Sequence, residues 1–407
     1  MDGPTGSGPR GVDRVPMSGA WRPGDPPGRR QFLTIAQDRP LALEGGGALR
    51  DVTIAYETWG QLADDAGNAI LVCHALTGDS HLAGRIGPGH ATPGWWDELV
   101  GPGRTLDTNR HFIVCANVLG GCQGSTGPSS PDPATGRPYG PRFPVVTIRD
   151  MVRTQAALAD HLRVDRWLAV VGGSMGGMQV VEWAVMFPHR VKAIAALATN
   201  TAATAEQIAF SSVQRHTIAL DPGWRGGEYY DATDGGDAEG GGIEPGPQQG
   251  LSLARQLAQV TYRSESVFAE RFGRGVLDEL DFTQWQRFDV EGYLHYHGQK
   301  LGRRFDANTY LTVTKAMDLH DLGRGRGGVH LAHGRVRAQV LAMGVDSDRL
   351  YPTYQQRDIV EGVRSHGGQA RYVEINSPDG HDGFLLATDQ VAAALTPFLD
   401  EVEKSDA

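Results

Sequence analysis

A serine between two glycines, Gly172-x-Ser174-x-Gly176, is where residue type and spacing first imply chemistry in this chain. The pattern permits a turn too tight for side chains at the flanking positions, and it lifts the serine oxygen clear of the backbone. Met175 then opens a helix, where its backbone N–H can stabilise an oxyanion. A free hydroxyl is a weak nucleophile at neutral pH, so a base and an acid must accompany it. On such turns the acid and then a histidine follow the serine in chain order. Among fourteen histidines, His381 lies in a late loop, Pro378-Asp379-Gly380-His381-Asp382-Gly383, between a strand pattern and a helix pattern. His320, His330 and His333 come before the strand that must precede the acid, and His366 reads as an exposed helix end. Asp346 and Asp348 both follow that strand, and position alone does not separate them; either could cap a helix. A second oxyanion donor is expected in Cys73-His74-Ala75-Leu76-Thr77-Gly78, with the Leu76 N–H as the natural group and His74 as a structural residue. The chemistry implied is acyl transfer through a serine.

The surrounding pattern supplies the elements that such a site needs. Residues 51–59 alternate like a half-exposed antiparallel strand. The runs 69–73 and 112–116 are continuous and apolar, as in strands covered on both faces of a mainly parallel sheet, and 167–171, 191–197, 337–343 and 370–375 read as further strands. Helical periodicity appears at 148–162, about 176–187 with Pro188 ending it, about 354–365, and about 384–402. Alternating strand and helix predicts an α/β fold, a mainly parallel sheet flanked by helices. Together with the serine turn, this is the α/β-hydrolase fold. The alternation stops between about 201 and 328, which reads as a helical lid insertion; its stretch 234–250, rich in Gly and acidic residues, reads as a mobile loop. The core would then be 31–200 and 329–407, preceded by a disordered segment 1–30 with too few apolar groups to order itself.

Composition removes several classes of function. A net charge of −10 and the lack of a dense basic run exclude nucleic acid as the main partner. Arg324-Gly325-Arg326 is the nearest candidate and reads as a loop. Three cysteines, none spaced as C-x-x-C, offer neither a disulfide framework nor a metal set, and no metal or dinucleotide cofactor is expected. The Gly120–Gly127 run lacks the Gly-Lys-Ser/Thr ending of a phosphate loop. No stretch reaches the ~20 apolar residues of a membrane span. With no secretory pattern at the start, a cytoplasmic location is expected by elimination.

Several separate blocks also resemble the homoserine O-acyltransferases of the α/β-hydrolase superfamily, of the acetyltransferase type. They are His74-Ala75-Leu76-Thr77-Gly78, the run from Asn117 to Pro128, Gly172–Gln179, Gly250-Leu251-Ser252-Leu253-Ala254-Arg255, Ser347-Asp348-Arg349-Leu350-Tyr351-Pro352 and Gly380-His381-Asp382-Gly383-Phe384, spread over about 32–400. The resemblance implies Asp348 as the acid, hence a triad of Ser174, Asp348 and His381. It implies that Arg255 binds the homoserine carboxylate and Asp382 its amino group, with Tyr262 lining the pocket. It further implies acetyl-CoA as co-substrate, an acetyl-serine intermediate, O-acetyl-L-homoserine as a product used in methionine synthesis, and a homodimer joined through the helical lid. Succinyl-CoA as donor, L-serine as acceptor, and ester hydrolysis by the same triad are the competing expectations. Arg255 and Asp382 speak against the last, since a generic esterase needs no amino-acid clamp.

Overall fold

The protein is described by a computed structural model covering residues 16–405 apart from 231–245, 278, 281, 283 and 285–287. Eight strands form one sheet: β1 (Gln31–Ile35), β2 (Val52–Trp59), β3 (Ala69–Cys73), β4 (Phe112–Ala116), β5 (Trp167–Gly173), β6 (Val191–Leu197), β7 (Gln339–Val345) and β8 (Ala370–Ile375). Their order is β1-β2-β4-β3-β5-β6-β7-β8. β1 and β2 run antiparallel to their neighbours, and all other pairs are parallel. The apolar runs behave as strands with two covered faces: β3, β5 and β6 are buried at every position.

β2 departs from the half-exposed strand that its alternation predicts. Its polar-facing positions are covered by the chain itself. Ser125 Oγ accepts from the Ala55 N–H at 2.9 Å, Thr126 Oγ1 accepts from the Thr53 N–H at 2.8 Å, and Ser80 Oγ donates to the wholly buried Glu57 at 3.0 Å. The pattern of β2 thus records contact with polar loops, not with water.

Helices cover both faces. α1 (Ile148–His161) starts with a capping box in which Thr147 and Asp150 satisfy each other's backbone N–H groups. α2 (Met175–Met186) is largely apolar and buried from Met175 to Val185, as a helix wedged between sheet and neighbours must be. Among the described residues, the lid between β6 and β7 is formed by α3 (Ala205–Ala219), α4 (Gln248–Tyr262), α5 (Glu265–Phe272), α6 (Asp289–Gly302) and α7 (Ala307–Asp318). α8 (Val329–His333) leads into β7, and α9 (Thr353–Arg364) connects β7 to β8. A core of Leu76, Met175, Leu251, Ala254, Tyr310 and Tyr351 joins the lid helices to the sheet below. The expected mobile loop falls largely on residues 231–245, outside the described residues.

Two expectations are corrected. The segment from residue 16 to 30 is not disordered: Met17 and Ala20 are buried, the Gly19 N–H donates to Phe305 O, and Arg30 donates to Gly89 O at 2.7 Å. Its order comes from hydrogen bonds to distant backbone, which low apolar content does not forbid; residues 1–15 lie outside the described ones. The single last helix is instead a 3-10 turn at Gly380–Asp382, then α10 (Gly383–Leu386), then α11 (Thr388–Lys404). The break falls at Ala387, whose φ of −85° and ψ of 53° are not helical.

Candidate active site

Parallel registration brings the carboxyl ends of β3, β5, β6, β7 and β8 to one edge: Cys73 faces Gly172, Gly173 faces Leu197, Leu197 faces Met343 and Val345 faces Ile375. Segments leaving that edge carry the triad and the oxyanion candidates, and α4 of the lid adds Arg255 and Tyr262. Ser174 sits between β5 and α2 at φ 56° and ψ −125°, a conformation that costs a non-glycine residue of order 1–3 kcal/mol and persists only when its surroundings enforce it. The glycines around it show the enforcement. A Cβ on Gly176 would lie 2.1 Å from the Cys73 carbonyl oxygen, and one on Gly172 would lie 2.7 Å from the same atom. The Ser174 N–H donates to Leu197 O at 2.9 Å, and Thr199 Oγ1 donates to Ser174 O at 2.9 Å.

His381 Nε2 is 2.9 Å from Ser174 Oγ, and its Nδ1 is 2.7 Å from Asp348 Oδ2. All three residues are buried. A carboxylate only accepts, so Nδ1 carries the proton and the Nε2 lone pair faces the serine hydroxyl, a tautomer assigned from this network. The other carboxylate oxygen of Asp348 accepts from the Leu350 and Tyr351 N–H groups at 2.8 and 2.9 Å. Asp346 points elsewhere: its side chain accepts from the Ser377 N–H at 3.0 Å and ties the β7 and β8 loops together. Geometry therefore separates the two aspartates that position left equal. The imidazole is held by the Tyr351 ring, stacked at 4.8 Å, with Tyr262 at 5.6 Å and the Phe384 edge at 5.5 Å.

The candidate oxyanion groups come from opposite sides. Met175 is the first residue of α2, where an N–H has no acceptor within the helix. Leu76 lies in the loop after β3, and His74 locks that loop by donating to Ala75 O and accepting from the Val118 N–H. Burial lowers the His74 pKa, which suits this neutral, structural role. Gln179, to which the sequence attached no role, binds the two sides together by donating toward His74 O and Met175 O.

Arg255, Tyr262 and Asp382 gather beside His381. The Arg255 guanidinium lies 5.3 Å from the centre of the Tyr262 ring, one face of α4 carrying both. Burial raises the Tyr262 hydroxyl's pKa. Burial also raises the pKa of Asp382, against the opposing pull of Arg263 and then Arg255. Arg263 is the residue that sequence reasoning missed: it pairs with Asp379 at 2.7 Å and with Asp382 at 3.3 Å. Only its place next to Tyr262 could have drawn attention to it.

A strained serine joined through hydrogen bonds to a buried histidine–aspartate pair makes this an α/β-hydrolase-type serine enzyme site. Residues 68–387 match the family described as alpha/beta hydrolase fold. The chain belongs, within that fold, to the homoserine O-acetyltransferase family. It is 50% identical to the homoserine O-acetyltransferase of Thermobifida fusca, over 95% of this chain and 97% of that one. It is 52% identical to that of Symbiobacterium thermophilum, over 93% and 96%. Among solved structures, homoserine O-acetyltransferase from Bacillus anthracis superposes with a TM-score of 0.81 at 28% identity, covering 91% of this chain and 97% of that chain. Esterase E22 superposes with a TM-score of 0.80 at 27% identity, covering 91% and 99%. No helix among the described residues is long and apolar enough to cross a membrane.

Proposed function

We propose that the protein transfers an acetyl group from acetyl-CoA to the hydroxyl of L-homoserine through an acetyl-Ser174 intermediate. The observation that carries this reading is the Ser174–His381–Asp348 hydrogen-bond chain with a guanidinium and a carboxylate, Arg255 and Asp382, set beside it. In the first half-reaction His381 Nε2 takes the Ser174 proton as Oγ attacks the thioester carbonyl. The Leu76 and Met175 N–H groups receive the oxyanion. The C–S bond breaks, and CoA leaves as the thiol with the proton from His381. In the second half, His381 takes the homoserine hydroxyl proton, that oxygen attacks the acetyl carbon, and Ser174 recovers its proton. Arg255 forks onto the homoserine carboxylate, Asp382 takes its ammonium group, and Tyr262 forms a wall. No resident metal or cofactor enters these steps.

The test is CoA release from acetyl-CoA and from succinyl-CoA, with L-homoserine, with L-serine and with neither, for the wild type and Ser174→Ala. Homoserine-dependent release from acetyl-CoA that disappears in the variant is expected. Release that survives the substitution refutes the serine mechanism, and preference for succinyl-CoA or L-serine refutes the assigned substrates.

We further infer a homodimer joined through the lid. Leu253, Leu257 and Val260 lie at i, i+4 and i+7 on the outer face of α4 and remain exposed, next to exposed Ile208 and Val213 on α3. Leu257→Lys should leave a monomer in sedimentation; a chain already monomeric before the substitution refutes it. A reaction fed by acetyl-CoA is consistent with a cytoplasmic enzyme of methionine synthesis.

A further inference from the structure

Three distant parts of the chain, residues 19–30, the loop 79–92 and the end of α6, enclose a cavity of about 300 Å³. It shares Ala91, Thr92, Arg303 and Arg304 with a second hollow of about 410 Å³ that Tyr296 and Lys300 also line, so the two form one cleft. Asp79 in its wall follows Leu76 by three residues, which keeps their Cα atoms within about 11 Å. The cleft is therefore a neighbour of the oxyanion loop.

Its charge is unlike that of the whole protein. Against a net charge of −10, the cleft carries Arg30, Lys300, Arg303 and Arg304, with Asp25 and Asp79 opposing them. Arg304 is committed to Asp79 at 3.2 Å and to Thr77 O. Arg303 and Lys300 are exposed, and neither forms an ion pair among the described residues; Lys300 only rests over the Tyr296 ring at 5.9 Å. Tyr296 itself is 58% exposed, an aromatic ring at the mouth of the cleft.

The floor holds unmet donors. His81 and His90 stack at 3.7 Å with their planes 10° apart. The Arg29 N–H donates to His90 Nε2 at 3.1 Å, so neutral His90 carries its proton on Nδ1; burial brings its pKa down to about 4. That Nδ1 and the Nε of Arg30 are buried without a hydrogen-bond partner. Glu57, His81 and His90 are close enough together to surround an ion. Parallel rings, however, direct their in-plane lone pairs along separate lines, which suits a hydrogen-bonding floor better than a coordination site.

We propose that this cleft binds the phosphorylated nucleotide end of the thioester donor. The inference rests on the acetyl-CoA reading above and places the donor's far end. Guanidinium and ammonium groups at the rim meet phosphate oxygens, and the exposed Tyr296 ring meets the base. The thioester arm runs from there along the 76–79 segment to Ser174.

Lys300→Glu combined with Arg303→Glu tests it, with thermal unfolding to verify the fold. KM for acetyl-CoA should rise about tenfold or more at low salt, while KM for S-acetyl-N-acetylcysteamine, a donor without the nucleotide, stays unchanged. Adenosine 3′,5′-bisphosphate should compete with acetyl-CoA in the wild type and far less in the variant, whereas inorganic phosphate at equal concentration should not compete. An unchanged KM for acetyl-CoA, an equal loss with both donors, or equal inhibition by inorganic phosphate overturns the proposal. If neither donor acetylates homoserine in the wild type, the acyl-transfer reading fails instead; calorimetric titration with the bisphosphate still decides the cleft.

Discussion

Asp348→Asn separates the orienting role of the acid from its structural role. Asp348 Oδ1 accepts two backbone N–H groups, from Leu350 and Tyr351, while Oδ2 faces His381 Nδ1 at 2.7 Å. An asparagine fits only one way round. Its carbonyl oxygen must take the two N–H groups, because turning it leaves both buried donors facing an NH₂ group, at about 1–3 kcal/mol each. The NH₂ group then faces His381 Nδ1 and can only donate. The imidazole must move its proton to Nε2, which points that N–H at Ser174 and removes the base. The fold keeps its hydrogen bonds, so stability should fall by only about 1 kcal/mol. Activity should fall about ten-thousandfold, as when the tautomer is reversed in other serine triads, which corresponds to about 5.5 kcal/mol of barrier. Pre-steady-state release of CoA from acetyl-CoA, measured beside thermal unfolding, reads both quantities. Asp346→Asn is the control, since Asp346 braces Ser377 and does not touch the imidazole. A folded Asp348→Asn protein that keeps more than about a tenth of the acylation rate would refute the argument that the Asp348 carboxylate sets the tautomer and supports the imidazolium.

Arg255→Ala should raise KM for homoserine by about a hundredfold, the loss of a bidentate charge-assisted pair, while CoA release in the first half-reaction stays near normal; equal losses in both halves would give Arg255 a different role. Gly176→Ala puts a Cβ 2.1 Å from the Cys73 carbonyl oxygen, which backbone cannot yield cheaply. A destabilisation of about 3 kcal/mol or more in urea unfolding is expected, together with loss of activity, and a variant of native stability would show that the turn is not tight. Asp382 gives a pH signature. Burial raises its folded pKa above the ordinary 3.8, so it gains its proton earlier as pH falls, and its charged form is a cost to the fold that disappears below that pKa. KM for homoserine should therefore climb on the acid side above the ordinary carboxylate range, whereas Asp382→Asn should show a high KM that is flat there. A wild-type KM that does not change as pH falls would remove Asp382 from ammonium binding.

What the amino-acid order makes legible is whatever depends on near neighbours. The strand runs 69–73, 112–116, 191–197 and 370–375 end where the structure ends them, because strand-forming residues and the turn residues that flank them are local. The serine turn is legible for the same reason: its glycines are adjacent to the residue they serve. Partnerships across the fold are not local. Arg263 meets Asp379 and Asp382 more than a hundred positions away, and nothing in its own neighbourhood announces that. Gln179 looks like any helix residue until its amide is found between His74 O and Met175 O. Alternation along β2 predicts water where Ser125, Thr126 and Ser80 lie, since a polar loop and solvent leave the same mark on a strand.

The same scaffold serves both an esterase and an acetyltransferase among the similar structures, so the fold alone does not decide between water and homoserine as acceptor. The decision must lie in groups that have no use in hydrolysis. A half-buried carboxylate one residue from His381 is such a group. Left alone, Asp382 would be driven to its neutral form, because desolvation of an unpaired charge costs more than a proton does. Arg263 at 3.3 Å opposes that, and Arg255 adds to the opposition. The pair keeps a negative charge in place without filling the site, ready for an ammonium group that water cannot supply. On the proposed reading, homoserine held by Asp382 and Arg255 has its hydroxyl near His381 at an effective concentration that free water cannot match. On that reading the charges beside the triad, more than the triad itself, direct the acetyl group to an amino-acid acceptor.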